Sequence, residues 1–196
     1  MGLNSRRSVF ALLMLPALLM LWPLTLGAPW RDPIRPTGEA AAILLIVALA
    51  ISPLKALFGA TAWTRWLLRQ RRAIGLAVFG YAAIHMIVFS LSIGSVSDIV
   101  QGMAWESMWT GWLAFALLGI MAAISNDRAV RVMGRGWKFV QRLAYPAALL
   151  TLAHWLLLTR GWSEALIWFA PLGLLQLARL ARSVRYTRNR DGRTAR

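Results

Sequence analysis
The chain has no cysteine. That excludes disulfides, thiolate-bound zinc, iron–sulfur clusters and covalent attachment of c-type haem. Charge is scarce as well: 15% of the 196 residues are charged, against about a quarter in soluble domains. Histidine occurs only twice. Hydrophobic residues make up 59% of the chain and the mean hydropathy is +0.58, so a membrane protein is the natural class. The charge that remains is of one sign, with 22 Lys and Arg against 7 Asp and Glu, a formal +15. Such an excess can mark a nucleic-acid binder. Here the arginines are confined to the gaps between apolar runs, which membrane topology explains and nucleic-acid binding does not.

The apolar runs predict an all-α membrane protein, a bundle of six transmembrane helices. They cover approximately Ser8–Gly27, Gly38–Phe58, Ala73–Gly94, Met108–Ser125, Val140–Leu158 and Trp162–Leu180, each close to the ~17–25 residues of a bilayer crossing. The first run carries Pro16 and Pro23, which favour a kink or an early end. Arg6 and Arg7 before it, and Gly27 and Ala28 after it, also resemble a signal peptide. Its apolar stretch is longer than a usual signal core, which favours a retained helix. Residues 1–182 then form one membrane domain, and 183–196 a basic cytoplasmic tail, polar enough to be expected without fixed structure.

The connections set an orientation. Arg6 and Arg7 precede the first run; Arg65, Arg69, Arg71 and Arg72 separate the second and third. Arg128, Arg131, Arg135 and Lys138 separate the fourth and fifth. Arg179, Arg182, Arg185, Arg188, Arg190, Arg193 and Arg196 end the chain. The alternate connections, with Arg31, Asp32, Arg35 and Glu39, then Asp98 and Glu106, then Arg160 and Glu164, carry little net charge. Every second connection is basic, which predicts both termini in the cytoplasm. Trp30, Trp63, Trp66, Trp105, Trp109, Trp137 and Trp162 fall near predicted helix ends, where an indole keeps its N–H wet. Trp112, Trp155 and Trp168 read equally well as core aromatics.

Both histidines lie deep in apolar runs. His85 is thirteen residues beyond Arg72, or about 20 Å of helical rise. His154 is fourteen residues beyond Val140, or about 21 Å. The two helices run in the same direction, so the imidazoles reach matching depths in the outer half of the membrane. An imidazole in hydrocarbon is costly unless something binds it. A pair at one depth suits the two axial nitrogens of a six-coordinate b-type haem iron. The competing reading is interhelical hydrogen bonding. Zinc fits less well, because no Asp, Glu or Cys lies at that depth to complete a tetrahedron. Gly75, Gly80, Ala82 and Ala83 precede His85, and Ala147, Ala148 and Ala153 precede His154. Small residues of this kind admit a flat macrocycle, and they equally admit close helix packing.

The stretches TGEAAAILLIVALAISPLKAL, LLRQRRAIGLAVFGYAAIHM and GRGWKFVQRLAYPAALLTLAHWL resemble the MsrQ (YedZ) family. These are haem-b membrane subunits of periplasmic methionine sulfoxide reductase systems, within the ferric-reductase-like transmembrane superfamily. The resemblance runs from about Thr37 to the end of the sixth run. It implies a protein of the bacterial inner membrane that passes electrons outward. The donor is a cytoplasmic flavin reductase or membrane quinol, and the acceptor a periplasmic molybdopterin enzyme. It also implies flavin mononucleotide (FMN) as a possible second cofactor beside haem b. One position departs from the pattern. Relatives carry a second histidine in a Leu-His-Arg-Leu segment of the fifth helix; here Gln141 stands there. The expectation is therefore about one haem, held by His85 and His154, with a flavin or quinone serving the inner half. Arg71, Arg72 and Arg142 could meet a flavin phosphate, though positive-inside anchoring explains each as well.

No cluster of acid, base and nucleophile is evident, so no catalytic residue is assigned and the chain reads as an electron-transfer subunit. Two alternatives stay open. One is a ferric-reductase-like haem protein with a different acceptor, although the chain ends too soon after the sixth run for a soluble flavin and nicotinamide domain. The other is a cofactor-free transporter or assembly factor, for which the intramembrane carboxylates and internal repeat are missing.

Overall fold
Side-chain caps begin several of the helices. Ser5, Thr61, Ser95 and Asn126 each accept a hydrogen bond from the backbone N–H three residues on, satisfying a donor that the first turn leaves unpaired. The computed structural model describes residues 5–158 and 162–194. Arg160 and Arg196 lie outside the described residues, as do the side chains of Arg185, Arg188, Arg190 and Arg193. The described residues form α1 (Arg6–Thr25), α2 (Ile34–Phe58), α3 (Ala62–Ile93), α4 (Val96–Gly102), α5 (Glu106–Ala123), α6 (Asp127–Met133), α7 (Arg135–Val140), a 3-10 turn (Gln141–Leu143), α8 (Ala144–Leu158) and α9 (Trp162–Thr194).

Five of these helices are long and apolar enough to cross a membrane: α1, α2, α3, α5 and the Trp162–Val184 part of α9. The expected fifth crossing, Val140–Leu158, differs. It is divided into the 3-10 turn and α8, whose 15 residues rise only about 22 Å. Pro146 accounts for the break, because it has no N–H to offer the Arg142 carbonyl and its ring crowds that carbonyl. Two other boundaries also move. α3 begins eleven residues before the predicted Ala73, because falling hydropathy marks the edge of hydrocarbon and not the end of a helix. The arginines and leucines of 65–72 are good helix formers once Thr61 caps them. The tail expected to lack structure is helical to Thr194, since extending a formed helix costs far less than nucleating one.

The bundle is built from two helix pairs. α2 packs along α3, and α5 packs along α8. α1 lies outside α3, and α9 covers α2 and reaches α8. Lipid provides little apolar driving force between helices, so close approach by small side chains matters most. Ala42, Ala77, Ala147 and Ala165 are accordingly buried where helices meet. Trp155 joins this core and Trp168 does not, whereas Trp30, Trp63, Trp105, Trp109 and Trp162 are exposed near helix ends.

Arginines tie off the opposite end from the histidines. Arg72 donates through Nε to the Ser125 carbonyl at 2.7 Å and through Nη1 to Asp127 at 2.6 Å. Arg182 donates to the Leu57 carbonyl at the end of α2. Arg182 thereby satisfies a carbonyl that the C-terminus of α2 leaves open, and Arg72 one just beyond the end of α5. Arg71 reaches the Ser52 hydroxyl at 3.3 Å.

Candidate functional site
His85 on α3 and His154 on α8 meet. Their ring centroids are 6.4 Å apart and the ring planes are nearly perpendicular, at 86°. Each imidazole is seated in the same way on a different neighbouring helix. His85 Nδ1 lies 2.8 Å from the carbonyl oxygen of Ile34, the first residue of α2. His154 Nδ1 lies 2.5 Å from the carbonyl oxygen of Ser107, in the first turn of α5. A carbonyl has no hydrogen to give, so Nδ1 is the N–H donor in both rings. Nε2 of each neutral ring then carries the free lone pair. An imidazole held this way is oriented as a metal ligand usually is, with its other nitrogen tied to a carbonyl or carboxylate.

Glycine makes both seats accessible. Gly38 stands four residues after Ile34, and a β-carbon there would fall 2.9 Å from His85 Nδ1 and Cε1. Gly111 stands four residues after Ser107, where a β-carbon would fall 2.7 Å from His154 Cε1 and 2.8 Å from Nδ1. In a helix, residue i+4 covers the carbonyl of residue i. Without a side chain there, the ring can lie over the helix and reach the oxygen.

The two rings border a cavity of about 420 Å³ between the helix pairs. Its wall is largely apolar and aromatic, with Leu45, Phe89, Trp112, Phe115 and Leu118 among the lining residues. Arg35 and Glu39 are the charged residues on the wall. Among the described residues, no three His, Asp or Glu side chains come together in a group that could hold a metal ion. The fold therefore brings two imidazoles together on the wall of one largely apolar cavity.

Of the small residues singled out in the sequence, Ala82 lines the cavity. Gly80 faces α1, where a β-carbon would fall 3.0 Å from Met14 Sδ, and Gly75 has nothing within 4 Å. Ala147 and Ala148 belong to the core between α8 and its neighbours. Gln141 lies in the 3-10 turn and donates from Nε2 to the Met121 carbonyl at 3.3 Å. The sequence reading missed Gly38, Gly111, the Ile34 and Ser107 carbonyls, and Arg35. A glycine near the start of each of two apolar helices, Gly38 and Gly111, was the available signal for the two seats.

The family model for the ferric reductase like transmembrane component matches residues 37–169, which include both histidines and both seat glycines. A protein-methionine-sulfoxide reductase heme-binding subunit MsrQ of Rhodospirillum rubrum is 34% identical over 171 residues, covering 81% of this chain and 76% of that protein. The equally named proteins of Brucella ovis and Brucella canis are 34% identical over 182 residues, covering 86% of this chain and 79% of theirs. This chain belongs to the MsrQ family. No solved structure shows a significant match. As an MsrQ family member with several helices of spanning length and apolarity, it is a multi-pass membrane protein. The MsrQ relatives are named as the heme-binding subunits of a methionine sulfoxide reductase.

Proposed function
We propose that the chain is a membrane b-type cytochrome subunit in which His85 and His154 would hold one haem through their Nε2 nitrogens. The observation that carries this reading is the seated imidazole pair on the cavity wall. With a metal–imidazole bond of ~2.0 Å and a ring centre ~1.1 Å behind its nitrogen, two imidazoles facing one ion would have centroids about 6.2 Å apart. The rings stand 6.4 Å apart. The donor set also fits: two neutral nitrogens, no third protein ligand among the described residues, and an apolar space between helix pairs. Haem held there supplies one-electron exchange at iron. The chain's own residues do the rest. Ile34 and Ser107 fix the tautomer and direction of the two rings, Gly38 and Gly111 give them room, and Leu45, Phe89, Phe115 and Leu118 exclude water.

In the fuller reading the protein crosses the bacterial inner membrane six times with both ends in the cytoplasm. The fifth crossing is completed by α7, the 3-10 turn and α8 together. The alternating arginine loops support this, and a periplasm-only reporter fused after Arg196 that gave signal would overturn it. Electrons pass from a cytoplasmic flavin or quinol donor to a periplasmic molybdopterin reductase that repairs methionine sulfoxide. FMN or quinone serves the inner half, and about one haem is bound per chain.

Absorption spectra of the detergent-purified protein, oxidised and reduced, test the reading. Wild type is expected to show low-spin haem b. His85→Ala and His154→Ala are each expected to abolish it or convert it to a high-spin form. Unaltered low-spin spectra in both variants, or no haem in the wild type, would refute the assignment.

A further inference from the structure
The outer end of the cavity holds a cation whose presence the imidazole pair does not explain. Arg35 follows Ile34, the residue whose carbonyl holds His85. It lines the cavity together with Glu39, in a wall otherwise almost free of charge. Its Nε donates to Glu39 at 2.5 Å, one turn along α2. Its Nη2 donates to both carboxylate oxygens of Glu164 on α9, at 2.7 and 2.9 Å. Two of its three nitrogens are thus committed to carboxylates from different helices, and the guanidinium is held at the junction of α2, α9 and the cavity. Nη1 makes no hydrogen bond to any described residue.

We propose that Arg35 is a binding residue for an acidic edge of the cofactor, with Glu39 and Glu164 positioning its guanidinium at the cavity mouth. This rests on the haem reading above. The argument is electrostatic. The porphyrin of a b-type haem carries two carboxylates, and a carboxylate cannot be moved into an apolar cavity without a partner. The acidic edge is best satisfied where the wall carries a cation or meets water, and Arg35, on the wall and largely exposed, marks that place. A planar guanidinium with spare donors matches a carboxylate better than a point charge does. The two glutamates have opposing effects. They order the arginine, and they also compete with an incoming carboxylate for its charge. Glu164, on a separate helix, is the partner that the cofactor acid would relieve.

The Arg35 side chain is 70% exposed, so water screens the contact and the effect is modest. The test compares haemin with its dimethyl ester, which has the same iron and ring and no carboxylates. Full-length protein produced without haem is titrated in detergent with each compound, and binding is read from the Soret band. The diagnostic quantity is the ratio of the two affinities. Arg35→Gln is expected to lower the preference for the free diacid about two- to fivefold. The low-spin spectrum given by His85 and His154 is kept. Arg35→Lys is expected to lose part of the preference, and Glu164→Gln to raise it. If Arg35 only ties α2 to α9, its loss weakens both compounds equally and the ratio stays at the wild-type value, which overturns the proposal. Should Arg35→Gln fail to fold, an unchanged ratio in both Arg35→Lys and Glu164→Gln overturns it equally. A wild type that binds neither compound in a low-spin form refutes the haem reading itself, and this proposal with it.

Discussion
The same helices pack in opposite ways at their two ends. At the histidine end, the α2–α3 pair and the α5–α8 pair stand apart around a cavity, and the two imidazoles facing it donate to carbonyls in the first turns of α2 and α5. Toward the arginine end the pairs close on each other. Phe79 of α3 stacks on Phe115 of α5, with centroids 5.5 Å apart and planes 16° from parallel. Gln141 bonds the Met121 carbonyl, Trp137 Nε1 donates to the Ile124 carbonyl at 3.0 Å, and Arg72 ties α3 to the end of α5. The closed end spends its polar groups on carbonyls near the end of α5, leaving a helix-terminal clasp. The open end spends its polar groups in a way that leaves two lone pairs directed elsewhere. Both ends use side-chain bonds to backbone carbonyls. The difference lies in whether the side chain has a second functional atom left over, as imidazole does.

Altering the seats should damage the open end most. Gly111→Ala places a β-carbon 2.7 Å from the His154 ring, and Gly38→Ala one 2.9 Å from that of His85. Each ring is the movable partner, so it leaves its carbonyl while the helices stay in place. Overpacking of this kind costs about 1–3 kcal/mol, which corresponds to haem binding weakened roughly 5- to 150-fold. Soret titration with circular dichroism checks this. Unchanged haem affinity in both variants would show that the glycines do not make the seats.

The closed end is expected to respond differently. Gln141→Ala removes one bond to a backbone carbonyl and should cost about 1 kcal/mol of stability. Haem content should remain near one per chain, as measured by the pyridine haemochrome against quantified protein. A wild-type ratio of two haems per chain would break the contrast between the ends, because it would require a second site where the helices are packed together.

The smallest effect concerns Asp127. Hydrogen bonding and charge attraction from Arg72 hold its carboxyl below the ordinary aspartate range. A folded-state value below the unfolded one stabilises the protein above the usual ~3.9, and that contribution disappears as the pH falls through the folded value. The carboxylate is exposed, so the loss is slight. Thermal melting in detergent between neutral and strongly acidic pH should show Asp127→Asn losing a little less stability on acidification than wild type. Equal acid sensitivity would show that the pair contributes nothing.

Much of this was readable from residue order. The membrane class, five of the apolar segments and the placing of His85 and His154 well inside two of the helices follow from composition and from helical rise per residue. Those quantities accumulate along one chain and need no knowledge of neighbours. Helix ends were less legible, as α3 and α9 show, because hydropathy reports the solvent around a helix and not its backbone hydrogen bonds. The break before α8 was signalled by Pro146 but masked by the continuous apolar run around it.

Apart from the two helices that carry the histidines, which helix faces which was not legible. That His85 rests on Ile34 and His154 on Ser107 joins residues 51 and 47 apart in the chain, and Arg35 meets Glu164 across 129 residues. No local periodicity encodes such pairings. They depend on how side chains of different helices fit when α2 lies along α3 and α5 along α8. Residue order thus led to the expectation of two imidazoles at similar heights along two parallel apolar helices. Packing in three dimensions set their tautomers, the space between them and the charge at its mouth, because each of those depends on atoms contributed by another helix.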